Sequence, residues 1–158
     1  MKYFESHAHY DDRRFREDRE ELLKELLPAS GVSHIINIGC DVKSSEMSVR
    51  MADKYDYIYA AVGVHPHELY DMSSQTIEKL RKLSEHKKVV AIGEIGLDYH
   101  YDTHPREYQR FWFNVAELPQ DREYVVEVRA RNCYGRCSQP LVSKIWRGKP
   151  GLANADRS

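Results

Sequence analysis

Cysteine is scarce in this chain. Cys40, Cys133 and Cys137 are the only three, an odd set that does not make a disulfide framework. Cys133 and Cys137 have the spacing of half a zinc site, but no second pair exists, so an incidental or structural role is expected. Long apolar runs are also missing. None near the start suits a signal peptide, and none approaches a membrane span, so the expected compartment is the cytoplasm and no membrane partner is expected. Net charge is nearly absent, at -1. That excludes a protein which gathers nucleic acid by bulk charge, and any phosphate binding must come from a local site or a metal. Histidine is missing from the last third, since all eight lie at or before His104.

What is present is a soluble, globular balance: 158 residues, 31% charged and 41% hydrophobic. That is about one domain, long enough to bury a core. The first 113 residues alternate strand-like and helix-like stretches. Tyr3 to Ser6 reads as a strand. Asp12 to Leu27 reads as an amphipathic helix, with Phe15, Leu22, Leu23, Leu26 and Leu27 on one side. His34 to Gly39 is a second strand. Ser44 and Ser45 are N-cap candidates for a helix to about Lys54. Ile58 to Val64 is a third strand, and Ser73 or Ser74 caps a helix reaching about His86. Val89 to Ile92 is a fourth strand, and Pro105 suits the first turn of a fourth helix. The pattern predicts an α/β fold, a partial TIM-barrel-like (βα)4 half with a parallel sheet covered by helices. A whole barrel takes roughly 250 residues, so this chain holds about half of one.

Polar residues recur where these strands end. His7 and His9 close the first; on an extended backbone, residues i and i+2 point to one side, so both imidazoles can reach one metal ion. Asn37 and Cys40 end the second strand, His65 the third and Glu94 the fourth. In a barrel these ends converge on one face. His7, His9 and Glu94 would place two nitrogens and a carboxylate around a divalent ion. Each residue alone has a plainer reading, His65 as a strand terminator beside Pro66 and Glu94 as a solvated loop acid. Their joint placement at three strand ends favours a site. His67, His86 and His104 are expected on the surface, Tyr99 and Tyr101 packed on the rim, and Asp11-Asp12 at the solvated start of the first helix.

At these residues the chain resembles the TatD family of metal-dependent hydrolases, known for deoxyribonuclease activity. The motifs are Ser6-His7-Ala8-His9, Ala61-Val62-Gly63-Val64-His65-Pro66-His67 and Gly93-Glu94-Ile95-Gly96-Leu97-Asp98-Tyr99. Ile35-Ile36-Asn37-Ile38-Gly39 and Pro105-Arg106-Glu107-Tyr108-Gln109-Arg110 fit as well, and the match covers about residues 1–113. The resemblance implies a TIM barrel that hydrolyses DNA phosphodiesters with metal-activated water. It implies one or two divalent ions (magnesium, zinc or manganese) as cofactor and DNA as substrate. It further implies that His7 and His9 bind metal, that Glu94 binds and bridges, and that Glu94 and His65 serve catalysis in the substrate pocket.

The chain departs from the family pattern in two places. Glu5 stands where the family has Asp, and the two further histidines and the aspartate expected on later strands do not follow. After residue 113 the character changes: net charge goes from -4 (16 basic, 20 acidic) to +3 (8 basic, 5 acidic). Tyr124 to Arg131 alternates apolar and polar like a half-buried antiparallel strand, and Leu141 to Trp146 could return beside it. With Tyr134-Gly135 and Ser138-Gln139-Pro140 between them, these strands resemble the last two of a fibronectin type III domain. The expected division is therefore a half barrel over 1–113, a fibronectin-like antiparallel hairpin over 114–150 and a flexible tail over 151–158. The expected activity is that of an impaired hydrolase. The alternative is an inactive mosaic or fragment with at most residual metal binding. A homodimer could complete the barrel.

Overall fold

A computed structural model describes residues 1–101, 103–115, 124–131 and 142–146. Strands β1 (Tyr3–Ala8), β2 (Val32–Ile38), β3 (Ile58–Val62) and β4 (Val89–Asp98) lie side by side in chain order, each parallel to the next. Helices α3 (Val42–Lys54) and α4 (Ser74–Ser84) fill the crossovers after β2 and β3, and α5 (Arg106–Val115) follows β4. This is the expected half barrel, and it carries every strand end to the same face. Beyond it, β5 (Tyr124–Arg131) joins β4 in parallel, and β6 (Val142–Trp146) joins β5 antiparallel. The hairpin read from the sequence is thus present, with its first strand continuing the barrel's strand order. Cys133, Cys137 and 151–158 lie outside the described residues, as does most of the link before β5.

The core lies between sheet and helices. Leu23, Ile35, Ala52 and Ile58 are fully buried there, with Val62 and Val89 nearly so. Burying one such large aliphatic side chain contributes about 1.5–3 kcal/mol. A second cluster of Ile38, Ala61 and Ala91 is packed by Ile36.

The crossover from β1 to β2 differs from the single helix expected over Asp12 to Leu27. A 3-10 turn (Arg13–Phe15) comes first, then α1 (Arg19–Glu21), a π-helical turn (Leu22–Leu26) and α2 (Leu27–Ala29). Local polar bonds outcompete the helix at its start. Asp12 accepts from the Arg14 N–H at 2.8 Å, and Arg19 reaches back to the carbonyls of Tyr10, Asp11 and Asp12 at 2.5–2.9 Å. Of the apolar side expected, Leu23 is buried while Leu26 is 50% exposed.

Helix α3 begins earlier than expected because Asp41, not Ser44 or Ser45, is its N-cap. Asp41 accepts from the Ser44 N–H at 2.6 Å, and Ser44 Oγ accepts from the Asp41 N–H at 2.9 Å. This reciprocal capping box satisfies two amides that no helical carbonyl reaches. Ser73 caps α4 the same way with Thr76, as one of the two serines expected there. Strand β4 runs six residues past the expected Ile92, so Glu94 sits inside a strand. Among the described residues, no helix is long and apolar enough to cross a membrane.

Candidate metal centre

Strand β1 delivers His7 and, one residue past its end, His9. Their Nε2 atoms face each other across 3.0 Å. His9 Nδ1 lies 3.0 Å from the Ile38 carbonyl. A carbonyl only accepts, so the His9 proton sits on Nδ1 and its Nε2 keeps a lone pair directed at His7. Glu94 arrives from β4 and is 1% exposed; its backbone N–H donates to the Gly39 carbonyl at 3.0 Å. The ligand atoms of His7, His9 and Glu94 all lie within 4.8 Å of one another. A tetrahedral ion with bonds of 2.0–2.1 Å separates its ligands by roughly 3.3 Å. The three donors are therefore close enough that one divalent ion could gather them, and two neutral imidazoles with one carboxylate is a common set for such an ion.

His65 stands next to this triad without joining it. Its Nδ1 accepts from the His67 backbone N–H at 3.0 Å. In the neutral ring the proton is therefore on Nε2, which lies 3.8 Å from Glu94 Oε1. A protonated ring nitrogen offers a donor, not a lone pair for metal. His65 is 8% exposed, and its own N–H donates to the Cys40 carbonyl at 2.8 Å.

The strand ends point to Asn37 but not to its partners, and they miss Gln109. Asn37 is fully buried and joins three segments. Its Oδ1 accepts from the Tyr10 N–H at 2.7 Å, and its Nδ2 donates to Asp11 Oδ1 and Ser48 Oγ at 2.8 Å. Asp11 is thus tied into the loop behind His9 instead of being a solvated helix start. Gln109 is 1% exposed. It accepts from the Asp98 N–H at 2.8 Å and donates to the Asp98 and His104 carbonyls at 3.1 and 2.9 Å.

His67 and His104, expected on the surface, face inward. His104 is 9% exposed, with Nε2 3.1 Å from the His67 carbonyl. His67 Nε2 pairs with the buried Asp98 Oδ2 at 3.0 Å. Their spacing in the sequence carries no periodic signal; the pair with Asp98 on β4 brings His67 in, and the His67 carbonyl holds His104. His86, also expected on the surface, is half-buried like His67 and pairs with the exposed Asp53 at 2.9 Å. Tyr101 is 58% exposed with its ring edge-on to His67, and Arg106 lies over the Tyr99 ring at 4.8 Å.

The electrostatics follow from burial and neighbours. Burial, then the charge of Glu94, pushes the Cys40 thiol up to about 12, so Cys40 is a neutral thiol beside the site. Burial and a hydrogen bond to Glu5 raise the Tyr10 phenol well above its usual range. Tyr10 donates to Glu5 Oε2 at 2.7 Å, which holds the Glu5 carboxylate on that phenol. For Asp98, burial works to raise the pKa. The His100 N–H, the charge of His67 and the Tyr101 N–H outweigh it and hold the carboxyl below the usual carboxylate range.

The chain is 40% identical over 107 residues to an uncharacterized metal-dependent hydrolase, YabD of Bacillus subtilis, a match covering 68% of this chain and 42% of that protein. It is 30% identical over 136 residues to the 3'-5' ssDNA/RNA exonuclease TatD of a Pantoea species, covering 83% and 52%. The crystal structure of YJJV, a TatD homolog from Escherichia coli, superposes with a TM-score of 0.67 at 29% identity, covering 82% and 51%. The chain spans about half the length of these relatives. The sequence pattern of TatD related DNases matches residues 4–142, past residue 113 and through β5. With that match over most of its length, the chain belongs to the TatD related DNase family.

Proposed function

We propose that this chain carries a metal-dependent phosphodiester hydrolase site for nucleic acid, DNA in the first place, with His7, His9 and Glu94 as metal ligands. The observation that carries this is the approach of His7 in β1, His9 just past it and Glu94 inside β4, their ligand atoms within 4.8 Å of one another. When bound there, a divalent ion supplies Lewis acidity, lowering the pKa of water and offsetting phosphate charge.

The chain's own residues do the rest. The Ile38 carbonyl holds the His9 proton on Nδ1 and so turns a lone pair toward the ion. Glu94 contributes charge from a buried position, where it counts for more than at the surface. His65 holds its proton on Nε2 beside Glu94, from where it can be donated to a phosphate oxygen or to the departing hydroxyl. Glu94 and His65 are accordingly the residues proposed for catalysis.

A second reading is a half barrel that binds metal and turns over slowly or not at all. A mosaic origin, with a fibronectin-like hairpin after residue 113, belongs to this reading, as does a homodimer closing the barrel. A strictly monomeric species in sedimentation removes the dimer.

Titration calorimetry with zinc, manganese and magnesium, followed by a cleavage assay on single-stranded DNA, tests both. The expected outcome is uptake of at least one ion, with affinity falling more than about tenfold in His7→Ala/His9→Ala. No uptake of any ion sinks the site. Uptake without cleavage leaves the second reading.

A further inference from the structure

A basic cleft opens beside the loop that carries His9. It has a volume of about 460 Å³, and its lining includes Arg13, Arg16, Arg19 and Lys43 against Asp11 and Asp12. Four cationic groups thus face two carboxylates, in a chain whose total charge is -1.

Both carboxylates have other partners, and Asp12 also feels the charge of Arg13. Asp11 is bonded to Asn37 Nδ2 at 2.8 Å. Asp12 forms an ion pair with Arg14 at 3.1 Å, and Arg14 does not line the cleft. Arg19 is committed to three backbone carbonyls. The exposed Arg13, Arg16 and Lys43 are left, and their side chains make no hydrogen bond or ion pair among the described residues.

Lys43 adds a second argument. It stands in the first turn of α3, which holds no acidic residue. A cation there opposes the helix dipole. Helix stability therefore does not account for it, and because the Asp41 capping box already closes the α3 N-terminus, an anion in the cleft would be attracted by the lysine charge and not by the helix end.

We propose that Arg13, Arg16 and Lys43 form a phosphate-contact cleft that holds the backbone of a nucleic-acid strand next to the triad. The proposal rests on the nucleic-acid reading of that site. It names the part of the surface which grips the strand, as distinct from the part that would cut it. Contacts of this type position a strand without reading its bases, and their strength falls with salt as bound counterions are released.

The test is equilibrium binding of a fluorescent single-stranded oligonucleotide to the full chain, without divalent metal, over a series of salt concentrations. The variants are Arg13→Gln/Arg16→Gln/Lys43→Gln and a charge-matched control, Lys24→Gln/Lys82→Gln/Lys87→Gln. The expected result is a loss of more than tenfold in affinity at low salt for the cleft variant, with little change in the control. The slope of log affinity against log salt should fall by about 2 for three lost phosphate contacts on a single strand.

Equal losses in both variants, an unchanged slope in the cleft variant, or no binding by the parent chain each overturn the proposal. The hydrolase reading fails separately. A chain that binds the oligonucleotide through this cleft but never cuts it with metal present keeps the cleft and loses the nuclease. Cutting that persists unchanged in the cleft variant keeps the nuclease and removes the cleft.

Discussion

At the scale of single residues, the site depends on which atom of each ring or carboxylate is already engaged. His9 and His65 are both histidines at strand ends, yet one presents a lone pair and the other a proton. Their Nδ1 partners are a carbonyl and an amide respectively. Asp98 shows the same dependence in its pKa. It is held low by the amides of His100 and Tyr101 and by His67. A folded-state pKa below the unfolded value near 3.9 means that its stabilisation is complete above about pH 4. That stabilisation disappears as pH falls through the folded value. Asp98→Asn should therefore lower the urea midpoint at pH 6, by about 1–3 kcal/mol of stability. The gap to the parent chain should narrow on acidification. A gap that stays constant from pH 6 to pH 2.5 would show that the charge of Asp98 does not matter.

Secondary-structure elements show where local chemistry decided and where packing did. Asp41 and Ser73 start their helices by bonds a reader can find three residues away. The loop after β1 is different, because its shape comes from Arg19 and Asn37 reaching back across the chain. Strands β3 and β4 meet closely at Gly63, where an added Cβ would lie 2.7 Å from the Gly93 carbonyl carbon and 2.8 Å from its oxygen. Backbone cannot yield as a side-chain tip can. Gly63→Ala should therefore push β4 away just before Glu94, costing about 1–3 kcal/mol of stability and weakening metal uptake. Denaturant unfolding and calorimetry read the two effects, and normal metal affinity with normal stability would refute the close-packing account.

For the molecule as a whole, the described strands form one sheet from β1 to β6, with the triad joining β1 to β4 across it. An ion bound by both strands stabilises the folded chain by mass action, about 2.7 kcal/mol at a concentration a hundred times its dissociation constant. Adding zinc or manganese should raise Tm in the parent chain and raise it much less in Glu94→Gln. An equal rise in both would place the ion somewhere else.

The order of the elements was legible in one dimension, because the buried strands β3 and β4 read as apolar runs and α3 and α4 as capped helical stretches, whereas the single helix expected after β1 was not formed. His7 and His9 were legible as a pair, since alternation along a strand puts both on one side. Glu94 and His65 were legible by their position after such runs and by resemblance to a family. What needed the folded chain was everything that depends on distance between elements: the inward turn of His67 and His104, the hubs at Asn37 and Gln109, and the clustered charge of Arg13, Arg16 and Lys43. Residues far apart in sequence have no pattern to announce their contact. The tertiary structure alone decides which polar groups are already paired, and so which remain for a metal or a phosphate.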